Sequence, residues 1–355
     1  MFTNTRLFLN VLAVTLFAGC YSHTPKQSKT DFEAFPVEKK LDEVELRKID
    51  EFTPDFIDLH NDSILYFVSA NGEKRYHFAL YHLQEKTFLH PLLPAGRKEG
   101  QALGFHSYGF ENNYLWVYDV NKEKITCTGL DSLRDTSSNH FIKELPAPGH
   151  YYSVQLLNDS TLLTSGNYDA KDDYKIATIN LMNGQISNQM TPYAPDSSAS
   201  FNRAQKMAYE SFLFVRPSKD KCVLASRYTD RIEIIDLNSR KSIVVKGTEG
   251  FEPEMKVVSG RDGRKISISG PNTRQAFVRG EVTNNFIYLL YSGNVDGTKH
   301  LFYGKYIYVY DWDGKPVQRL ELANDVKDFA VTRNDSLLYT YNPLSKFISV
   351  AKLTK

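Results

Sequence analysis

One short polar turn recurs six times along this chain, each time between two runs suited to β-strands. The turns are Asn61-Asp-Ser, Asn112-Asn, Asn158-Asp-Ser, Lys219-Asp-Lys, Asn284-Asn and Asn334-Asp-Ser. Asn and Asp tolerate left-handed backbone angles and bond to their own backbone, and each turn is followed by leucine, β-branched or aromatic residues. Six hairpins are indicated. Successive turns lie 51, 46, 61, 65 and 50 residues apart, near the ~40 to 50 residues of a four-stranded propeller blade with two larger insertions. A second apolar run follows every hairpin, at 74–83, 124–130, 175–181, 231–237, 306–312 and 346–353. Several of these end in a further turn, Asn183-Gly184, Asn238-Ser239 or Asp313-Gly314, that feeds a fourth strand. The repeating unit is strand, turn, strand, loop, strand, turn, strand.

Repeated six times, that unit predicts an all-β, six-bladed β-propeller. Sandwiches placed side by side need Greek-key connections, which break a period of this kind. A repeat fold also suits 355 residues, because a single layered core stops growing near ~250 to 300. With 22 Tyr and 22 Phe the composition favours strands; only 201–212, inside an insertion, hints at a helix. The sixth unit has no room for a fourth strand before Lys355, and an open blade would leave an exposed edge and an unlocked seam. The segment VELRKI at 44–49 is strand-like and directly precedes the first blade. It is predicted to pair as the outer strand of the last blade, with 31–37 the lesser candidate. The propeller is thus expected over 41–355.

Ahead of it, residues 20–40 read as a flexible tether and 1–19 as a leader. An apolar run of 13 residues, Leu7 to Gly19, follows the positive charge of Arg6. That is too short for a bilayer span of ~20 residues and has the length of a signal-peptide core. Ala18-Gly19-Cys20 resembles the lipobox of bacterial lipoproteins, whose Cys is diacylated and becomes the new N-terminus, although Phe17 stands where Leu is usual. Cys20 is therefore expected to carry lipid, the alternative being an ordinary secretory leader. More than one acyl chain makes such anchoring stable. No Asp follows Cys20, which favours the outer membrane, with the protein facing the periplasm.

Chemistry is harder to find than address. The 43 Lys and Arg against 42 Asp and Glu give a net charge of +1, without the basic footprint of a nucleic-acid binder or a polybasic membrane patch. Cys127 and Cys222 fall in non-neighbouring repeats and read as buried free thiols. His77 and His82 are five apart in a strand, which sends them to opposite faces and not to one metal. Asp311-x-Asp313-Gly314 begins like a calcium loop, but the twelfth position is Leu322 where a bidentate Glu is required. Gly-x-Ser-x-Gly does not occur. No metal, cofactor or catalytic residue is assigned.

What remains is the loop surface, because binding residues in propellers concentrate on the loops at one face of the ring. Those loops include 165–175, 227–231 and 291–306, with the insertions 191–203 and 248–279 expected on the same face. Arg227, Asp230, Arg231, Arg274 and His300 are the ligand-binding candidates; the second insertion carries Arg261, Arg264, Arg274 and Arg279 with Phe251 and Phe277, a composition suited to anionic or sugar-like ligands. Arg227, Asp230 and Arg231 equally suit a surface ion-pair group.

Three segments, RYTDRIEIIDL (227–237), NFIYLLYSG (285–293) and YVYDWDGKPV (308–317), occur in that order. Together they resemble the TolB-like six-bladed propeller lipoproteins of Bacteroides and relatives, over roughly residues 40–353. The resemblance implies a six-bladed fold and a lipidated N-terminus, and brings no catalytic residues to carry over. The expected function is a membrane-anchored, non-catalytic binding or scaffolding lipoprotein with a protein or glycan partner. A lactonase-like propeller hydrolase and a glycan-binding accessory protein are the alternatives, since propeller enzymes assemble carboxylates from different blades.

Overall fold

The polar turns reverse the chain as their composition requires. Asn61, Asp62, Lys219 and Asp335 hold left-handed φ angles of 51°, 54°, 59° and 58°. The Asn158 and Asn334 side chains accept backbone N–H groups two residues on, at 3.0 and 3.1 Å. Asp313-Gly314 is likewise a turn, with Asp311 Oδ1 accepting the Asp313 and Lys315 N–H groups at 2.9 Å. The computed structural model describes residues 28–30, 34–51, 53–70, 75–111, 113–131, 133–134, 140–168, 173–193 and 201–353. The leader, Cys20, Asn112, and parts of the 165–175 loop and the 191–203 insertion lie outside the described residues.

The hairpins and their third and fourth strands form six antiparallel sheets arranged as the blades of a propeller. Their first strands are Phe56–His60, Ser107–Glu111, Ser153–Asn158, Ser211–Val215, Phe277–Val282 and Asp328–Val331, for blades one to six. The second strands are the most apolar, as in Ile64–Val68 and Phe286–Tyr291, because a blade is covered on both faces by its neighbours. Six hydrophobic clusters result, each spanning one blade interface. Val68 and Phe78 of blade one meet Leu115 and Val117 of blade two, and Trp116 and Ile125 of blade two meet Val154 and Leu162 of blade three. The series continues around the ring until Tyr339 and Tyr341 of blade six meet Ile57 and Phe67 of blade one. Cys127 and Cys222 are buried free thiols, in blades two and four. His77 is buried too, its ring nitrogens 2.7 and 2.9 Å from the carbonyl oxygens of Ser69 and Ala102.

The ring is closed as the strand count demands. Glu43–Lys48 pairs antiparallel to Phe347–Lys352 as the outer strand of blade six. Glu43 fixes the register, accepting from Thr340 Oγ1 and from the Ala323 N–H, both at 2.7 Å. Leu41 and Ile49, on either side of this strand, enter the clusters between blades five and six and between six and one.

Two further strands lie within the stretch read as a tether. Ser28–Thr30 runs parallel to Ser242–Val245 on the outer edge of blade four, and Glu38–Lys40 parallel to Arg319–Glu321 on blade five. The second is tied down by main-chain bonds from Arg319 N to Val37 O and from Leu41 N to Glu321 O, both 2.8 Å, and by an Arg319–Glu38 ion pair. The chain thus crosses the rims of blades four and five before it closes blade six.

The insertions form small elements of their own. Arg203–Ala208 is a short helix with a capping box between Asn202 and Gln205. Met255–Ser259 and Lys265–Ser269 form a hairpin that touches it through Ser267 Oγ, which donates to the Ala204 carbonyl at 2.6 Å. Among the described residues no helix is long and apolar enough to cross a membrane.

Candidate functional site: the central channel

An antiparallel meander puts the first-to-second and third-to-fourth turns of every blade at one end of the ring, here the turn end. The second-to-third loops and the inter-blade connections lie at the other, the loop end. Between the ends runs a channel walled by the six first strands. Side chains alternate along a strand, so residues two apart, such as Asp58 and His60 or Arg279 and Glu281, share a side. A cavity of about 590 Å³ opens at the turn end and one of about 290 Å³ at the loop end. His106, Ser153, Phe212 and Arg279 line both, so the two are parts of one channel.

Arg279 sits where the two meet. It donates from Nε to Asp328 Oδ1 at 3.0 Å and lies 3.9 Å from the Phe56 ring centre. Asp328 is buried and also accepts the N–H groups of Ile57 and Phe329, at 2.8 and 2.9 Å. Burial works against the Arg279 charge, but Asp328, with Tyr108 and Glu281 adding to it, outweighs that and holds the guanidinium pKa above its ordinary value.

Two further carboxyls, on the first strands of blades one and five, lack an ion-pair partner among the described residues. Asp58 touches the channel but is otherwise enclosed by protein; burial pushes its pKa to about 7, with Asp328 adding to the rise. The Leu59 N–H, donating to Asp58 Oδ1 at 2.6 Å, only partly offsets this. Glu281 is displaced well upward in the same way, by burial and then by Asp58 and Asp328. Three carboxyls and one guanidinium therefore share the middle of the channel, and part of the set stays protonated near neutral pH. His60, in the turn-end cavity, is pushed down to about 4 by burial and by Arg333, and is neutral at pH 7.

The sequence-predicted candidates all lie toward the loop end, and of the five only Arg227 lines the channel mouth. Its guanidinium donates to Tyr152 Oη at 2.9 Å, pairs with Glu210, and lies within 6 Å of the rings of Tyr152, Phe212, Tyr228 and Phe302. Asp230 is buried and holds the start of the 248–279 insertion, accepting the N–H groups of Glu249 and Gly250 at 2.8 and 2.9 Å. Arg231 pairs with Glu252. Arg274 pairs with Glu249 and stacks 4.4 Å from the Phe251 ring centre. His300 packs on Tyr303, 4.8 Å between ring centres. Glu249 thus links Asp230 to Arg274, while Arg227 stands apart from them in its aromatic surround.

Sequence reading missed Asp58, Glu281 and His60, and placed Arg279 in the loop insertion, whereas it stands on the first strand of blade five. Their signal was present, as charged or polar residues at alternate positions of first strands that are otherwise apolar. Among the described residues no group of three or more His, Cys, Asp or Glu side chains is placed to hold a metal ion.

A protein of Bacteroides fragilis designated as exported superposes over 92% of this chain and 100% of its own, with a TM-score of 0.58 and 12% identity. A member of the DUF4221 family from Bacteroides vulgatus does so over 89% and 98%, with a TM-score of 0.55 and 12% identity. At that identity the likeness is one of fold. The sequence finds no match among curated proteins. With the first strands of six blades around one channel, and with the TolB-like 6-blade propeller-like family matched over residues 52–334, the chain belongs to the TolB-like six-bladed propellers.

Proposed function

We propose that this protein is a lipid-anchored binding protein of the bacterial envelope, held through diacylated Cys20 at the periplasmic side of the outer membrane, whose central channel takes a small ligand. The observation that carries the reading is the channel itself. It offers a volume typical of ligand sites, with aromatic walls and polar groups contributed by different blades, two of them carboxyls without an ion-pair partner among the described residues. The Ala-Gly-Cys ending of the 13-residue apolar leader supports the anchor.

Two experiments test the halves of this reading separately. Cys20→Ser is expected to move the protein from the membrane to the soluble fraction; unchanged fractionation overturns the anchor. His106 is exposed and lines both parts of the channel, so His106→Trp plugs it without disturbing a blade core. Native mass spectrometry after incubation with a cell extract is expected to show a bound small molecule on the wild type and none on His106→Trp. Equal occupancy of the two proteins, or none on either, overturns the channel as the site.

A further inference from the structure

We infer that the turn-end cavity takes a small organic cation, a ligand that presents a protonated amine to Asp58 and Glu281 and an oxygen acceptor to His60. The inference rests on the binding reading above and assigns its ligand class. It starts from the charges around the cavity, taken blade by blade. Glu111 of blade two is engaged by Lys219 of blade four at 2.7 Å, and Arg216 by Asp220 at 3.1 Å. Arg279 of blade five is engaged by Asp328 of blade six. Blade three offers the uncharged Ser153 and Gln155. What stays without an ion-pair partner among the described residues is Asp58 and Glu281 within the channel and Arg333 at the turn end, with His60, His106 and Tyr108 completing the titratable set.

Two neighbouring carboxyls cannot both ionise cheaply without a cation between them. Bound protons fill that role, and a ligand ammonium group replaces them. Tyr108, Phe110 and Phe214 line the same cavity, and aromatic faces favour a cation over a neutral or anionic group. A second, independent observation concerns His60, which is 4% exposed. Its Nε2 accepts from the Asn61 side-chain amide at 2.7 Å, which leaves the ring proton on Nδ1, and Nδ1 has no hydrogen-bond partner among the described residues. A buried donor left unmatched is costly; Nδ1 is closed off from the cavity that His60 lines, and a turn of the ring brings it to a hydroxyl or carbonyl oxygen on the ligand.

The test compares three compounds that share a phenyl ring and a hydroxyl: 2-amino-1-phenylethanol, 1-phenyl-1,2-ethanediol and mandelate. Isothermal titration of the full mature chain is expected to show the amine binding at least ~tenfold tighter than the diol, with mandelate weakest. The amine's affinity is expected to rise from pH 6 to pH 8, with net proton release in buffers of different ionisation enthalpy. Asp58→Asn/Glu281→Gln is expected to bring the amine to the level of the diol; should the double variant not fold, Glu281→Gln alone is expected to weaken the amine ~threefold or more. Diol or mandelate binding as tightly as the amine overturns the cation assignment while leaving the channel a binding site. Absence of amine binding at about 10 mM, or unchanged amine preference in the variants, overturns it as well.

Discussion

Replacing Asp58 by Asn removes a group that is costly to ionise where it stands. Its pKa rises from an ordinary 3.8 to about 7 on folding, so the native state holds a proton that the unfolded chain releases. Below about pH 4 the two states bind it equally. As pH climbs toward 7 the unfolded state is increasingly favoured, and stability is lost across that window. At 1.36 kcal/mol per pH unit the full loss is about 4 kcal/mol, with roughly 2–3 kcal/mol falling between pH 5 and pH 8. Asn keeps an oxygen for the Leu59 N–H at 2.6 Å and abolishes the titration. It also relieves Glu281, whose pKa is raised first by burial and then by Asp58. Urea denaturation of both proteins at pH 5, 6, 7 and 8 is therefore expected to show Asp58→Asn gaining roughly 2–3 kcal/mol on the wild type over that range, with unchanged m-values. Parallel stability curves would refute the picture of a carboxyl held protonated in the channel.

Three further outcomes are expected. Deletion through residue 50 removes the closing strand with Leu41 and Ile49, two fully buried side chains worth ~1.5–3 kcal/mol each, and is expected to lower stability by ~3–6 kcal/mol, whereas deletion through residue 30 leaves thermal unfolding nearly unchanged. A Cβ at Gly109 would stand 2.7 Å from Trp116 Cζ2, so Gly109→Ala is expected to cost ~1–3 kcal/mol by overpacking and to shift Trp emission, as denaturation followed by fluorescence will show. Burial pushes the Cys127 thiol up to about 11 and the Cys222 thiol higher still; with Cys20 replaced by Ser, Ellman's reagent is expected to find no reactive thiol in the native protein and two in urea.

The blades were legible in the sequence because their turns are local. Asn61, Asp62 and Asp335 adopt the left-handed angles their chemistry permits, and no tertiary contact is needed to recognise these turns. Closure by 43–48 was legible for a different reason, the lack of a fourth strand in the last unit. The two rim strands were not, since Glu38-Lys39-Lys40 has no apolar alternation and is held by backbone bonds to blade five. The channel acids were hidden by distance. Asp58, Glu281 and Asp328 come from blades one, five and six, and each alone looks like an ordinary outward-facing residue on a half-apolar strand. Only the radial convergence of first strands turns them into one titrating group. Asp230 misled in the opposite direction, as a loop acid that faces inward to hold backbone N–H groups.

The path of the N-terminal chain over blades four, five and six has a mechanical consequence. A pull on the N-terminus meets Ser28–Thr30 first, then Glu38–Lys40, and only then the Glu43–Lys48 strand that seals the ring. The first two are three-residue edge strands whose loss leaves every blade with its four antiparallel members or its seal intact. They act as sacrificial links in series, yielding slack of several residues each while the seam remains unloaded. A pull on the N-terminus must peel both rim strands before it loads the seam, so the channel keeps its shape until the N-terminal strap has come away.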